Sequence, residues 1–285
     1  MHKPQGDDAV RLFHFVVLAV LIMSFNGYAE SGKKDKKMQD LIRTGWDDES
    51  AIDDPRVQHL NYIFEETGET IPYALFVPTS YNKDEAISLI VSLHGLTRTY
   101  DWLMGYEGLL DFAEEFNFIV VTPLGYTRRG WFGSWSQGLD ERSLEREGKY
   151  SEKDVMNVLN LVRQKYSIDS ENIFLWGHSM GGSGTYHLAM QYPDLWNALA
   201  LAAPAPPQTR TVEDLKIIKH IPVFILQGTK DRLVYPTREW VAEMENLEMD
   251  YIYDEIEGAD HSFFISKNKE NLKKIFDFFV EKRSQ

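Results

Sequence analysis

Short, continuously apolar runs recur along this chain and alternate with longer segments in which apolar residues return at helical spacing. The apolar runs are AISLIVSL, FIVVT, NIFLW, LALAA and VFILQ. Such runs are typical of strands that are buried on both faces of a parallel sheet. The alternation therefore predicts one α/β domain, in which a mostly parallel central sheet carries helices on both faces.

The same periodicity predicts the remaining elements. QHLNYIF and IPYALFV precede the first apolar run and are separated by a turn with Gly68, which predicts a hairpin at an antiparallel edge. YIYDEI is a further strand, and the predicted helices are LMGYEGLLDFAEEF, SEKDVMNVLNLVRQKY, GTYHLAMQY, TREWVAEMENL and KENLKKIFDFFVEK. Ser151 and Asp154 match a capping box, which places a helix N-terminus at Ser151. The apolar stripe of the last helix consists of Leu272, Ile275, Phe276 and Phe279.

The N-terminus has the pattern of a secretory signal peptide. Lys3 and Arg11 precede an apolar run over residues 15–23, and small residues follow it up to Ala29. We therefore predict cleavage after Ala29 and a secreted or periplasmic protein. An uncleaved membrane anchor is the alternative, but the run is shorter than the roughly 20 residues that cross a bilayer.

Composition divides the chain into three parts. Residues 1–29 form the predicted signal peptide, and residues 30–56 are polar and charged, which predicts a flexible leader. Residues 57–285 contain all the predicted strands and helices. No internal repeat or linker divides this last part, so it is predicted to form one domain.

Net charge and cysteine content exclude several classes of function. The formal net charge is −14, whereas proteins that bind nucleic acid present clusters of Lys and Arg. The chain has no cysteine, which excludes disulfides, thiolate metal sites and a cysteine nucleophile. The histidines are scattered and no H-E-x-x-H motif occurs, which disfavours a metalloenzyme. We expect no cofactor and no metal.

A G-x-S-x-G motif follows the run NIFLW and opens a predicted helix. It consists of residues 177–181, with Ser179 at its centre. The motif alone occurs by chance at appreciable frequency, but a strand before it and a helix after it are the context of a nucleophile on a strained turn. The alternative is a glycine-rich turn that contains a serine by coincidence.

A serine nucleophile needs a histidine base and an acid that orients it, and in this arrangement the acid follows the serine and the histidine follows the acid. Of the eight histidines, only His261 lies in a late loop, GADHSFF, between the last strand and the last helix. Of the other seven, six lie in the predicted signal peptide, in a predicted strand or helix, before the serine, or directly beside it, and His220 leads into the run VFILQ. The alternative for His261 is a surface loop residue.

Asp231 is the predicted acid, because it lies in the loop that follows the run VFILQ. A solvated turn residue is the alternative for this position. The rival acids in the later loop are Asp254, Glu255, Glu257 and Asp260.

The reaction of such a triad also requires donors for an oxyanion. The N–H of Met180, directly after the serine, is the first predicted donor. The N–H of Leu96, in the HGLT loop after the run AISLIVSL, is the second. A glycine that merely ends the strand is the alternative for Gly95.

These motifs resemble those of the α/β-hydrolase superfamily, and in particular its secreted esterases. The resemblance rests on YALFVPTSYN…SLIVSLHGL, on GHSMGGSGTYHLAMQYPDLW and on GTKD…GADH, and it covers roughly residues 60–280. That branch includes feruloyl and acetylxylan esterases, polyhydroxybutyrate-depolymerase-like proteins and prolyl-oligopeptidase-type hydrolases. The chain departs from this branch in two ways. It lacks the cysteine that depolymerase-like members often have after His94–Gly95, and it lacks the propeller domain of true prolyl oligopeptidases.

The resemblance also directs attention to two regions around the site. Many superfamily members carry a helical cap between the strands LALAA and VFILQ, but here only APAPPQTRTVEDLKIIKH lies there. We therefore expect an open site that suits bulky or polymeric esters. The loop over residues 125–150 is predicted to contact substrate, or else its aromatic side chains pin it to the domain. The candidate contacts are Tyr126, Trp131 and Trp135 in this loop, and Tyr100 and Trp102 in the loop behind Leu96.

Together these features predict a serine carboxylesterase, with residues 57–285 as its α/β-hydrolase catalytic domain. Its partner would be a small-molecule or polysaccharide-linked ester, such as a feruloyl or acetyl ester of plant polysaccharide, and neither nucleic acid nor a membrane. A prolyl-oligopeptidase-type peptidase or aminoacyl hydrolase is the alternative within hydrolases. A catalytically silent binding protein is the alternative outside them, although all three triad residue types are present.

Overall fold

Eight strands form one sheet in the computed structural model, which describes residues 52–135 and 141–284, with the side chains of residues 141–145 excepted. The strands are β1 (Gln58–Phe64), β2 (Glu69–Phe76), β3 (Ile87–Leu93), β4 (Phe118–Pro123), β5 (Ile168–His178), β6 (Ala198–Ala202), β7 (Val223–Gly228) and β8 (Tyr251–Ile256). Their spatial order is β1-β2-β4-β3-β5-β6-β7-β8.

Pairing within the sheet is mostly parallel. β1 pairs with β2 and β2 pairs with β4 in antiparallel fashion. The five remaining pairs, along the order β4-β3-β5-β6-β7-β8, are all parallel. This confirms the predicted hairpin edge and the predicted parallel sheet. β4 lies on one side of β3, and the chain then crosses to the other side of β3, where β5 and all later strands are added. The carboxyl ends of β3 and β5 thus flank a crevice of the kind in which α/β proteins bind ligands.

Six helices connect and cover the described strands. They are α1 (Leu109–Glu115), α2 (Glu141–Lys165), α3 (Met180–Gln191), α4 (Val234–Asn246), α5 (Phe263–Ser266) and α6 (Lys269–Glu281). Short 3₁₀ helices occur at Trp102–Gly105, Trp131–Gly133 and Val212–Ile218. Val212–Ile218 is the only helix described between β6 and β7, so this stretch carries no helical cap. None of the described helices is long and apolar enough to cross a membrane.

Alternate side chains of the strands enter two separate cores, one on each face of the sheet. In β5, Phe174 and Trp176 pack into the core that α1 and α6 cover. Ile173 and Leu175 pack into the core on the other face, with α2, α3 and α4. The predicted apolar stripe of the last helix is buried in the first core, since each of its residues is at most 2% exposed. The prediction of helices on both faces is confirmed.

The segment predicted as one helix over residues 103–116 is two shorter elements. The 3₁₀ helix ends at Gly105, and Tyr106 has an extended backbone. Gly108 has a left-handed φ of 90° and immediately precedes α1. The single helix is therefore a wrong prediction, because residues 106–108 leave the helical conformation although the apolar spacing continues through them.

The capping box predicted at Ser151 and Asp154 is also wrong, because α2 begins at Glu141 and both residues lie inside it. Their side chains bind the preceding loop instead. Ser151 Oγ accepts a hydrogen bond from the N–H of Phe132, and Asp154 Oδ2 accepts from the N–H groups of Gly125 and Tyr126. The residues predicted as a loop over 125–150 are consequently helical from Glu141 onward.

The predicted signal peptide and residues 30–51 of the predicted leader lie outside the described residues. The last residues of the leader, 52–56, are described and contact the domain. The N–H of Ile52 donates to Asp101, and Arg56 forms ion pairs with Asp54 and Asp111. All described residues belong to one compact unit.

Candidate active site

Ser179 lies on the sharp turn between β5 and α3. Its φ is 59° and its ψ is −111°, a backbone conformation that is rare for a residue with a side chain. The two flanking glycines of the motif are required by close packing. A Cβ on Gly177 would lie 2.2 Å from the carbonyl carbon of Gly181, and one on Gly181 would lie 1.9 Å from the carbonyl oxygen of Leu93. The motif glycines therefore permit the approach of β5, α3 and β3 that holds the turn.

The backbone of Ser179 is fixed by the loop that follows β6. Its N–H donates to the carbonyl of Ala202 at 2.9 Å, and its carbonyl accepts from the N–H of Ala205 at 3.0 Å. Because both polar groups of the residue are bonded to a neighbouring strand end, the side chain is directed without movement of the main chain.

The three predicted triad residues are brought together. His261 Nε2 lies 2.9 Å from Ser179 Oγ, and His261 Nδ1 lies 2.6 Å from Asp231 Oδ2. A carboxylate only accepts hydrogen bonds, so Nδ1–H donates to Asp231 and Nε2 is left to accept from the Ser179 hydroxyl. The side chain of Asp231 is 5% exposed, whereas that of His261 is 40% exposed and accessible to a substrate.

Asp231 is held as an anion by its neighbours. Burial alone would raise the pKa of its carboxyl, but the hydrogen bond and charge of His261, with donation from Leu233 N–H and Gln227 Nε2, outweigh burial and lower that pKa.

The rival acids are engaged elsewhere or exposed. Asp254 pairs with Lys274, and Glu255 pairs with Arg238. Asp260 accepts hydrogen bonds from backbone N–H groups of residues 262–264, at the start of α5. Glu257 is exposed.

The end of β7 lies against the loop that carries the histidine. The N–H of Lys230 donates to the carbonyl of Ala259 at 2.9 Å. A Cβ on Gly228 would lie 2.5 Å from the carbonyl oxygens of both Ala259 and Asp260, so only glycine permits this approach. The distance between the acid and the imidazole thus depends on a direct backbone contact.

His178, next to the serine, has a role that the sequence analysis missed. Its buried ring places Nε2 2.8 Å from the carbonyl oxygen of His261 and Nδ1 2.5 Å from the hydroxyl of Tyr106. A carbonyl only accepts, so Nε2–H donates to His261 and Nδ1 accepts from Tyr106. Burial and the charge of His261 lower the pKa of His178 to about 3, which keeps the ring neutral in this arrangement. His178 therefore fixes the backbone of the triad histidine.

The two predicted oxyanion donors lie on the elements expected of them. Met180 is the first residue of α3, and N–H groups in a first helical turn have no acceptor within their own helix. Leu96 lies in the loop after β3, which is held in place on both sides. The N–H of Thr97 donates to the carbonyl of Arg128, and the buried ring of His94 contacts the carbonyl of Leu124 at 2.8 Å.

The predicted substrate residues divide into buried and accessible ones. Tyr100 is buried and its hydroxyl lies 3.0 Å from His59 Nδ1. Tyr126 is buried against Phe64, and its hydroxyl donates to Glu69. These contacts explain both tyrosines as packing residues and lend no support to a substrate role.

The three tryptophans are all partly exposed. Trp131 and Trp135 stack on each other with ring centroids 3.9 Å apart, and Trp102 stacks on the ring of His178 at 5.5 Å. Trp102 also lines a cavity of about 500 Å³ that His261 shares. Trp102 is therefore a predicted substrate residue that the structure places in a cavity shared with His261.

Within the described part of the chain, no three His, Asp or Glu side chains are grouped so that they could hold a metal ion.

The sheet order, together with a serine on the turn after β5 and an acid and a histidine after β7 and β8, defines an α/β-hydrolase fold. Solved structures share it. A CE1 ferulic acid esterase of the anaerobic fungus Anaeromyces mucronatus matches with a TM-score of 0.63 and 19% identity, over 85% of this chain and 96% of that one. A fluorophosphonate-binding serine hydrolase of Staphylococcus aureus matches with a TM-score of 0.63 and 15% identity, over 79% of this chain and 98% of that one.

A family model described as "Putative esterase" matches residues 65–264, and the chain belongs to this esterase family. Curated relatives include an acetylxylan esterase of Coprinopsis cinerea, 29% identical over 46% of this chain and 34% of the relative. A bifunctional acetylxylan esterase/xylanase of Neocallimastix patriciarum is 27% identical over 50% of this chain and 19% of the relative. The chain thus spans about a third and a fifth of the lengths of these two relatives.

Proposed function

We propose that this protein is a serine carboxylesterase that acts through an acyl-enzyme at Ser179. The observation that carries the proposal is the continuous hydrogen-bonded series from Asp231 through His261 to the Ser179 hydroxyl, at 2.6 and 2.9 Å. Membership of the esterase family supports the same chemistry.

The geometry suggests a specific path for the proton. As Ser179 Oγ attacks the ester carbonyl carbon, its proton moves to His261 Nε2, and Asp231 stabilises the resulting imidazolium. The tetrahedral intermediate then loses the alcohol, which takes that proton from His261. Water attacks the acyl-enzyme and gives a proton to His261, after which the acid leaves and the Ser179 hydroxyl is restored.

The N–H groups of Met180 and Leu96 are the proposed oxyanion donors. Each belongs to a backbone segment held by neighbouring structure, so the donors are oriented before substrate arrives. Preorganised donors of this kind contribute about 3–4 kcal/mol each to the stabilisation of a tetrahedral intermediate.

Acetyl or feruloyl esters of plant polysaccharide are the proposed substrate class. The named activities of the curated relatives and of the fungal structural neighbour favour such esters over aminoacyl substrates. The absence of a described helical cap between β6 and β7 agrees with access for a polymer. The partly exposed stacked pair of Trp131 and Trp135 offers an aromatic surface to an aryl or sugar ring.

Replacement of the nucleophile tests the proposal. Ser179→Ala should lower kcat for p-nitrophenyl acetate and methyl ferulate by about 10⁵-fold or more and abolish labelling by a fluorophosphonate probe. Ser183→Ala is the matched control, since Ser183 lies on the same helix but donates to Ser134 and not to the triad. Unchanged turnover in Ser179→Ala would refute the mechanism. Absence of labelling in the wild type would favour a binding protein.

The signal peptide remains part of the proposal. We propose that residues 1–29 direct export and are removed, and that residues 57–285 act as the catalytic domain outside the cytoplasm. N-terminal sequencing of protein recovered from culture medium or periplasm should begin at Glu30. A mature protein that still starts at Met1 would contradict this.

A further inference from the structure

One flank of His261 opens into a cavity whose electrostatic character differs from that of the whole protein. The cavity has a volume of about 500 Å³, and its walls include the aromatic rings of Trp102 and Phe263. Two cationic side chains, Arg98 and Lys267, also line it. Such a concentration of positive charge is unexpected in a chain whose formal net charge is −14.

Neither cation is neutralised by a carboxylate within the described part of the chain. Arg98 lies over the ring of Trp102, with its guanidinium carbon 4.9 Å from the ring centroid, and it forms no ion pair there. Lys267, at the end of α5, forms none with the described residues either. Both side chains are exposed at the cavity, so each is available to a ligand.

The cavity contains a single acidic lining residue among those described, Asp260. Its Oδ1 is occupied by three backbone N–H groups of residues 262–264. Asp101, the next acid along the chain from Arg98, is buried and accepts the N–H of Ile52. The ionised side chains of the lining therefore sum to one positive charge.

The position of the cavity indicates which part of a substrate enters it. In the proposed reaction the leaving alcohol takes its proton from His261 Nε2, so the alcohol has to leave beside that ring. The carbonyl oxygen is directed instead toward Met180 and Leu96. A cavity lined by His261 and by its chain neighbours Ser262 and Phe263 therefore adjoins the alcohol part of the ester.

We propose that this cavity selects esters whose alcohol part carries a carboxylate, which binds between Arg98 and Lys267 while Trp102 and Phe263 contact the ring that bears it. The inference rests on the proposed function, because it assigns the alcohol side from the proton transfer. An esterified sugar or phenol next to a carboxylate has the required chemistry.

Two esters that differ only in this charge provide the test. 4-Acetoxybenzoate has an anionic leaving group, and 4-acetoxybenzamide has a neutral one of the same shape. We expect the wild type to prefer the benzoate by about tenfold in kcat/KM, mainly through KM, in keeping with charge-assisted contacts at a partly exposed site. The preference should fall as salt is added.

Variants identify the side chains responsible. Arg98→Gln and Lys267→Gln should each reduce the preference by about threefold to fivefold, mainly by raising KM for the benzoate. Lys274→Gln is the control, because it removes the same charge from a lysine that pairs with Asp254. It should leave the preference unchanged. An equal loss in all three variants would mean that only net charge matters and would overturn the inference.

A binding measurement separates this inference from the proposed function. In the Ser179→Ala protein, calorimetry should find tighter binding of 4-hydroxybenzoate than of 4-hydroxybenzamide, and the difference should shrink by about threefold to fivefold with Arg98→Gln added. Failure of the wild type to hydrolyse either ester, with this binding difference retained, would refute the esterase proposal alone. Equal binding, or a preference only for esters with an anionic acyl part, would overturn the inference.

Discussion

Gly228→Ala is the substitution that most directly tests how the acid and the histidine are held in place. A Cβ at this position would lie 2.5 Å from the carbonyl oxygens of Ala259 and Asp260. Ordinary contact begins at 3.4 Å, so the loop that carries His261 has to retreat by about 0.9 Å. Backbone atoms provide no flexible end that could move aside, and His261 directly follows Asp260 in the chain.

The catalytic cost follows from this displacement. If it passes fully to the imidazole, the 2.6 Å bond between His261 Nδ1 and Asp231 Oδ2 lengthens to about 3.5 Å, beyond a normal hydrogen bond. A misplacement of about 1 Å costs on the order of 10²-fold in rate. We expect kcat for p-nitrophenyl acetate to fall by about that factor, with KM changed by less than threefold.

A second glycine variant separates this effect from general destabilisation. Gly68 in the β1–β2 hairpin has a φ of 70°, and a Cβ added there would have no atom within 4 Å, so Gly68→Ala adds backbone strain without a clash and far along the chain from the triad. It should cost about 1–2 kcal/mol of stability and leave kcat unchanged. Thermal unfolding and kcat are measured for both variants. A folded Gly228→Ala protein with kcat within twofold of wild type would refute the reasoning.

Three further predictions concern single buried or triad side chains. His178→Ala removes the donor to the carbonyl of His261. Because one carbonyl is then left unsatisfied, kcat should fall about 10- to 100-fold at constant KM. An unchanged kcat would contradict the positioning role. Asp231→Asn removes the anion that accepts from His261 and should lower kcat by about 10³- to 10⁴-fold, whereas an effect under tenfold would point to another acid. Burial raises the pKa of the Asp154 carboxyl to about 6, so the folded state holds this proton more tightly than the unfolded chain does. The resulting contribution to the free energy of unfolding is present below pH 4 and is lost as the pH rises past 6. Denaturant titrations should therefore show wild type losing up to about 3 kcal/mol relative to Asp154→Asn between pH 4 and 7, and a pH-independent difference would show that the carboxyl titrates normally.

The fold was predictable because the central strands β3 to β7 contain runs that are buried on both faces, which leaves continuous apolar stretches in the sequence. The order of serine, acid and histidine was likewise predictable, since each follows a recognisable strand. Each strand, and each triad residue that follows a strand, is recognised from a short stretch of sequence. The structure brings Ser179, Asp231 and His261 together as that order requires.

Contacts between distant segments were not predictable from the same patterns. His178 meets Tyr106 and the His261 backbone, which lie 72 and 83 residues away, and nothing local distinguishes it from a residue that fills a turn. Ser151 and Asp154 match a capping box by spacing, yet tertiary contacts to the loop at residues 125–132 use both side chains inside a longer helix.

The roles of aromatic residues near the site were not predictable from these patterns either. Tyr100 and Tyr126 occur in loops beside strand ends, as substrate contacts do, but their hydroxyl groups find partners inside the protein. Sequence periodicity describes which face of an element is buried, and it does not describe the direction of a side chain in an irregular loop.

The loop at residues 125–135 is attached to α2, which separates the aromatic surface of this loop from the reacting groups of the triad. Ser151 and Asp154 hold this loop from the helix, and their described hydrogen bonds involve no triad residue. The side chains of the stacked Trp131 and Trp135 can therefore be exchanged while the reacting groups remain on the ends of β5, β7 and β8, whereas the backbone at Arg128 has to be kept because its carbonyl holds the loop of Leu96. If the two tryptophans contact substrate as proposed, substitutions at these side chains alone would change the ester preference without a change in the reacting groups.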